Sequence, residues 1–151
     1  MEYELCFEWL LKNVKPERDK LVGKNPTSTR RGNNWWPYAQ DAKNLFENIK
    51  SLERVIVRSG VSKFNAYNFV ENGFILSHAI FVFAFDDYGS FSLLQSTIYD
   101  VWVEANASSL GATLRYTPTT CFENFPFPFS LGELTGAGKE YWECRARLMI
   151  S

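Results

Sequence analysis

The raw material for catalysis is scarce in this chain. It has one histidine, His78, and three cysteines, Cys6, Cys121 and Cys144, none in CxxC spacing. An odd count without that spacing supports neither a disulfide framework nor a zinc knuckle. A reduced, intracellular, cytoplasmic protein is the expectation. There is no GxSxG elbow for a serine nucleophile, and no GxxxxGKS/T or GxGxxG loop to cradle phosphates. No apolar run approaches the roughly 18 residues that cross a bilayer. The longest, Ala79–Phe85, is strand length. The N-terminus is acidic before its apolar part, unlike a secretory signal, so no membrane partner is expected. An excess of one charge sign is missing too: the net charge of −1 excludes a bulk polycation of the histone type.

What is abundant is apolar and aromatic. The 151 residues are 46% hydrophobic and 22% charged, a globular rather than disordered balance. Thirteen Phe, seven Tyr and five Trp exceed what a core of this size demands and hint at interfaces. The near-neutral total hides an asymmetry. Residues 1–64 hold 12 basic and 8 acidic side chains, and the remainder holds 4 and 9. A chain polarised in this way can meet a polyanion with one side only.

Periodicity organises the rest. Leu5 and Trp9 share a helical face, predicting a short amphipathic helix over 3–13 that Pro16 ends. Residues 16–34 are polar and read as a basic loop, with one turn of helix at its start. The pair Trp35-Trp36 reads as an anchor before a helix over 38–52, with Pro37 in its first turn. Strands are expected at 54–58, 63–71, 73–77 and 79–85, with Asn72-Gly73 as a turn. Phe91, Leu94, Ile98, Val101, Trp102 and Ala105 predict one helix over 90–106, capped by Ser90. A strand at 114–116, an irregular aromatic stretch CFENFPFPF, a loop at Gly136 and Gly138, and a last helix over 139–150 complete the reading. The fold class is α+β: a twisted mixed or antiparallel sheet flanked by helices, with a C-terminal closing helix. Residues 1–34 form an N-terminal helix and basic loop, and 35–151 a single globular unit.

Chemistry-bearing clusters are weak. Adjacent Asp86 and Asp87 on a turn rarely converge on one metal, and His78 between apolar strands reads as structural. Cys121 and Cys144 read as buried structural cysteines. Asn25-Pro26-Thr27 fails to match the Asn/Asp-Pro-Pro-aromatic loop of amino-methylating DNA methyltransferases, because the second proline and the aromatic are absent. A binding domain is the reading that remains.

Phe81 to Phe129 carries a resemblance. Leu93-Leu94-Gln95-Ser96, Ser108-Ser109-Leu110, Arg115-Tyr116-Thr117-Pro118 and Cys121 to Pro128 follow one another in order. So arranged, they resemble the target recognition domain of large DNA methyltransferases, as in single-chain type II restriction–modification enzymes and related phage-defence methyltransferases. Arg31 to Trp36, the helix to Leu52 and Arg54 to Val57 are similar to the segment leading into that domain, and Tyr141 to Met149 to its closing helix. The resemblance covers about residues 30–150. It implies a reader of short base sequences that positions double-stranded DNA for a methyltransferase domain or subunit. The S-adenosylmethionine and catalytic loops of such enzymes, and any nuclease motif, are missing. The expectation is therefore a piece of a longer enzyme, not catalytic by itself and with no cofactor of its own, whose parent uses S-adenosylmethionine.

Residue chemistry then suggests the contacts. Lys24, Arg30 and Arg31 can grip phosphates, with a solvated connector as the competing reading. Between Arg58 and Asn68, the polar donors and acceptors Arg58, Ser62, Lys63, Asn65, Tyr67 and Asn68 suit base and backbone contacts. An ordinary exposed hairpin is the alternative there. Arg115 and Thr117 belong to a motif shared across the family, so they suit scaffold or phosphate rather than sequence choice. The four Phe of the aromatic stretch suit core packing, or an interface with a methyltransferase, better than base stacking. Two other functions compete: a protein-interaction domain docking through its aromatics, and a small hydrolase using Asp86, Asp87 and His78.

Overall fold

The computed structural model describes residues 3–37, 42–111 and 113–150. The chain divides into two compact units, residues 1–43 and 44–151.

The first unit is helical. Helix α1 (Glu4–Asn13) sets Glu4 in its first turn and Lys12 in its last, both matched to the helix dipole. Helix α2 (Lys15–Asp19) is the single expected turn, with Pro16 in its first turn. The expected basic loop beyond it is instead helix α3 (Pro26–Asn33). Its start is local chemistry: Asn25 Oδ1 accepts from Ser28 N at 2.8 Å, and Pro26 has its φ preset for the first turn. Trp35 is buried against Phe7, with ring centroids 5.8 Å apart, while Trp36 is exposed. Pro37 lies in a bend rather than a helical turn. The helix expected from 38 is seen as α4 (Lys43–Ile49), and residues 38–41 lie outside the described residues.

The second unit is built around strand β1 (Arg54–Ser59). It lies between β3 (Asn68–Glu71) and β4 (Ile80–Phe83) in an antiparallel sheet of order β3-β1-β4. The β-branched run RVIV is buried on both faces. Val55 and Val57 pack with Ile49, Leu45 and Leu52 on one side. Ile56 joins Phe69, Phe83 and the main aromatic core on the other. Ile56 pairs with both Phe69 and Phe83, so three apolar residues line up across the sheet. The expected strand over 73–77 is absent among the described residues, although the Asn72-Gly73 turn before it is present. Of the expected strand 63–71 only its end is paired in this sheet.

The main core face is covered by α5 (Tyr88–Leu94), α6 (Thr97–Asn106) and α8 (Thr135–Ile150). The single helix expected over 90–106 is broken. Asp87, not Ser90, caps α5, accepting from Ser90 N at 2.7 Å, and Ser96 caps α6, accepting from Tyr99 N at 3.2 Å. The break turns α6 about its axis. Tyr99 and Val103 are fully buried, whereas Ile98 and Val101, expected inside, are exposed. Gly136 and Gly138 lie in α8 and not in a loop, because α8 approaches α5 too closely for a side chain at 138.

A second antiparallel sheet of order β2-β6-β5 joins β2 (Val61–Ser62), β6 (Thr113–Arg115) and β5 (Ser108–Leu110). The short helix α7 (Pro118–Cys121) follows it. The architecture is thus α+β with antiparallel sheets and a closing helix. Among the described residues no helix is long and apolar enough to cross a membrane.

Candidate nucleic-acid interface

Gly60 joins the two sheets. Its N–H donates to the Ala79 carbonyl at 2.7 Å, and its own carbonyl accepts from Tyr116 N at 2.9 Å. A Cβ there would meet the Phe81 ring at 3.0 Å and the Ala79 carbonyl at 3.2 Å, closer than side chains normally pack, so glycine eases the run of β1 on into β2. In the second sheet Arg115 pairs with Val61 on one side and Ser108 on the other. All three are exposed, forming one row on one face. Residues 55–70 and 105–122, which supply this sheet and its flanks, contain no Asp or Glu, yet hold Arg58, Lys63 and Arg115. The rest of the second unit is acidic overall, so this is its cationic corner.

The loop from β2 to β3 is clamped at both ends. Ser62 Oγ accepts from Phe64 N at 3.1 Å. At the far end Gln95, which ends α5, acts as a surrogate strand. Its Oε1 accepts from Tyr67 N at 3.0 Å and its Nε2 donates to the Asn65 carbonyl at 3.3 Å. Arg145 of α8 donates to the Tyr67 carbonyl at 2.6 Å. The Asn65 carbonyl and both backbone groups of Tyr67 are therefore satisfied by side chains from two helices.

Beneath this loop lies Arg58. It was expected at the surface and is only 2% exposed. The guanidinium donates to Asn65 Oδ1 at 2.5 Å, to the Tyr67 hydroxyl at 3.1 Å and to the Ser59 carbonyl at 3.1 Å. It lies 4.0 Å from the Tyr116 ring centroid. Among the described residues no carboxylate pairs with it. Tyr99 and Tyr116 share a 2.7 Å hydroxyl contact, and Tyr99 donates on to the Cys121 carbonyl at 3.1 Å. Burial pushes the phenols of Tyr67, Tyr99 and Tyr116 above their ordinary value of 10.0, and Arg58 only partly offsets this. Because the folded values are raised, the unfolded chain gives up these protons first. Their contribution to stability is complete below pH 10.0 and falls as pH rises beyond it. The urea midpoint should stay level up to about pH 10 and drop above it; Tyr99→Phe should soften that drop.

The remaining predicted contacts divide by position. Lys63 and Arg115 are exposed on the cationic corner, with Ser62 and Asn68 half-buried beside it in chain order. Tyr67 is fully buried and, like Arg58, cannot present its side chain at the surface. Asn65 turns its carbonyl oxygen to Arg58, and its Nδ2 is buried with no partner. The reverse amide orientation would set donor against donor. Lys24, Arg30 and Arg31 are exposed in the first unit, the two arginines in the last turn of α3. Lys15 and Lys20 nearby are paired with Asp19 and Glu17, whereas those three have no carboxylate partner among the described residues. Sequence reasoning places Gln95 in the Leu93-Leu94-Gln95-Ser96 motif but not in this role, because its partners lie 28 and 30 residues away.

The residues of the competing hydrolase reading lie apart in their roles. His78 is exposed in a turn, and Asp87 is engaged as a helix cap. Among the described residues no group of three or more His, Cys, Asp or Glu is placed to hold a metal. Cys144, expected inside, is exposed; Cys121 is buried. The aromatic stretch serves the core: Phe125 is buried, and Phe122 and Phe127 pack against it, leaving Phe129 in solvent.

A family model described as MmeI, target recognition domain, matches residues 11–129. No curated protein and no solved structure matches the chain. The match spans both helical and sheet units and includes the clamped loop, the cationic corner and the Arg-Tyr-Thr-Pro turn. The chain belongs to the MmeI target recognition domain family, the DNA-recognition modules of restriction–modification enzymes.

Proposed function

We propose that this domain reads duplex DNA with the second sheet and the clamped β2–β3 loop, and sets that duplex before an S-adenosylmethionine-dependent methyltransferase domain or subunit. The observation that carries the proposal is a DNA-recognition family whose member has an acidic second unit with one carboxylate-free, cation-bearing corner. Lys63 and Arg115 contact phosphate, Ser62 and Asn68 read base edges, and Asn65, whose Oδ1 is held by Arg58 and whose Nδ2 is buried, shapes the loop from within. Lys24, Arg30 and Arg31 supply further phosphate contacts from the first unit. Arg58 and Tyr67 act from below, as positioning residues that shape the loop. The cofactor belongs to the partner. The turn from β4 into α5 offers no cradle for it: the Asp87 carboxylate occupies the helix N-terminus, and the Leu131 carbonyl would stand 2.6 Å from a Cβ on Gly89.

Fluorescence anisotropy with a mixed-sequence duplex tests this. Binding should weaken linearly in log salt, and Lys63→Ala or Arg115→Ala should each reduce the slope by about 0.9. Binding that is undetectable at low salt would sink the proposal and favour an interaction domain docking through its exposed aromatics.

A further inference from the structure

Phe64 sits at the exposed tip of the clamped loop, 69% accessible to solvent. Large apolar side chains are common at protein surfaces, and alone this one would mean little. Its setting is what separates it from the others. Its own N–H is tied by Ser62 Oγ, the backbone on its C-terminal side by Gln95 and Arg145, and the Asn65 side chain next to it by Arg58. The ring is therefore held out on an ordered support and not on a fraying end, so little freedom remains to be lost on binding. Lys63 Nζ lies 5.6 Å from the ring centroid, and no acidic residue occurs between 55 and 70. An aromatic ring beside a lysine, on a segment without carboxylates, suits a stacked, phosphate-edged ligand better than an apolar protein groove.

From this we infer that Phe64 is a duplex wedge. It inserts between two base pairs, or against a base unstacked from its neighbour, while Lys63 holds the adjacent phosphate. The inference rests on the DNA-recognition reading above and adds a deformation of the duplex to it. Specificity would then include the ease with which a step opens, pyrimidine–purine steps being the softest.

The test uses the whole chain and 2-aminopurine duplexes. Duplexes retained by the wild-type chain from a random-sequence pool are resynthesised with 2-aminopurine placed at successive positions. Binding should raise the fluorescence at one step, where stacking is lost. Phe64→Ala should abolish that rise and weaken binding by about 5- to 100-fold, leaving the salt slope unchanged. Phe64→Leu should retain much of both signals, since leucine also serves as a wedge. Lys63→Ala should do the opposite, lowering the slope by about 0.9 while the rise persists at saturating protein. Phe64 is exposed, so its variants should keep the wild-type circular dichroism. If the wild type binds duplex but every 2-aminopurine stays stacked, or if Phe64→Ala binds equally well, the wedge is wrong and the recognition reading survives. If the wild type retains no duplex at low salt, both fall.

Discussion

Arg58→Ala is expected to destabilise the second unit by about 2–5 kcal/mol, read as a shift of the urea midpoint with little change in slope. The side chain is 2% exposed and donates to three oxygens, of Ser59, Asn65 and Tyr67. Truncation leaves those acceptors in a site that water does not reach, and adds the cavity vacated by the arginine stem. The loss also removes the cation from the Tyr116 ring face. Two companions separate these effects. Arg58→Met restores volume but no donors and should recover only part of the loss. Arg58→Lys restores a charge but not the planar fork that reaches Asn65 and Tyr67 together, so it should also fall short. A midpoint for Arg58→Ala within about 1 kcal/mol of wild type would show that the guanidinium is not desolvated as its surroundings demand. Because Arg58 holds Asn65, the Ala variant should also loosen the β2–β3 loop, seen as faster amide exchange at Asn65 to Tyr67 under native conditions.

The burial of Arg58 is legible in the alternation of its strand. In RVIVRS alternate residues share a face, so Arg58 falls on the side of Ile56 and the aromatic core. A charged residue beside Ser59-Gly60 invites the opposite reading, because arginine is rarely buried without a carboxylate. What tips the balance is a hydroxyl, an amide and two rings brought in from β3, β6 and their flanks, none of them visible as neighbours in the chain. The same limit hid the role of Gln95. Local signals fared better: β1, α1, the Asn72-Gly73 turn and the core role of Phe122 to Phe127 follow from composition and spacing. At α3 composition misled where capping informed, since Asn25-Pro26 announces a helix start that seven basic residues over 12–31 obscured. At α5–α6 the apolar spacing runs unbroken through Gln95-Ser96, so periodicity alone reports one helix. Only the Ser96 cap reveals the turn about the axis that exposes Ile98 and buries Tyr99. At the cationic corner, Lys63 and Arg115 are readable as exposed cations, whereas the strand expected over 63–71 gives no sign that Phe64 stands in solvent on a loop.

Substitutions at two glycines in the first turns of α8 are expected to change stability with opposite signs. Gly136 and Gly138 lie two residues apart in the same helix, and sequence reasoning treats them alike. A Cβ on Gly136 would meet nothing within 4 Å. Gly136→Ala should therefore stabilise by about 0.5–1 kcal/mol through the backbone freedom it removes from the unfolded chain. A Cβ on Gly138 would overlap the Tyr88 carbonyl oxygen, and would lie 2.9 Å from its carbon and 3.0 Å from Ser92 Cβ. Those are backbone and near-backbone atoms of α5, so no side chain can swing aside. The two helices would have to part, and with them Phe91 and Trp142, whose rings meet edge to face at 5.5 Å. Gly138→Ala should cost about 3 kcal/mol or more, against an intrinsic helix preference that favours alanine by about 1 kcal/mol. Thermal melts of both variants decide the matter. If Gly138→Ala is as stable as Gly136→Ala, α8 does not pack on α5 at this distance, and the aromatic core between them must be looser than described.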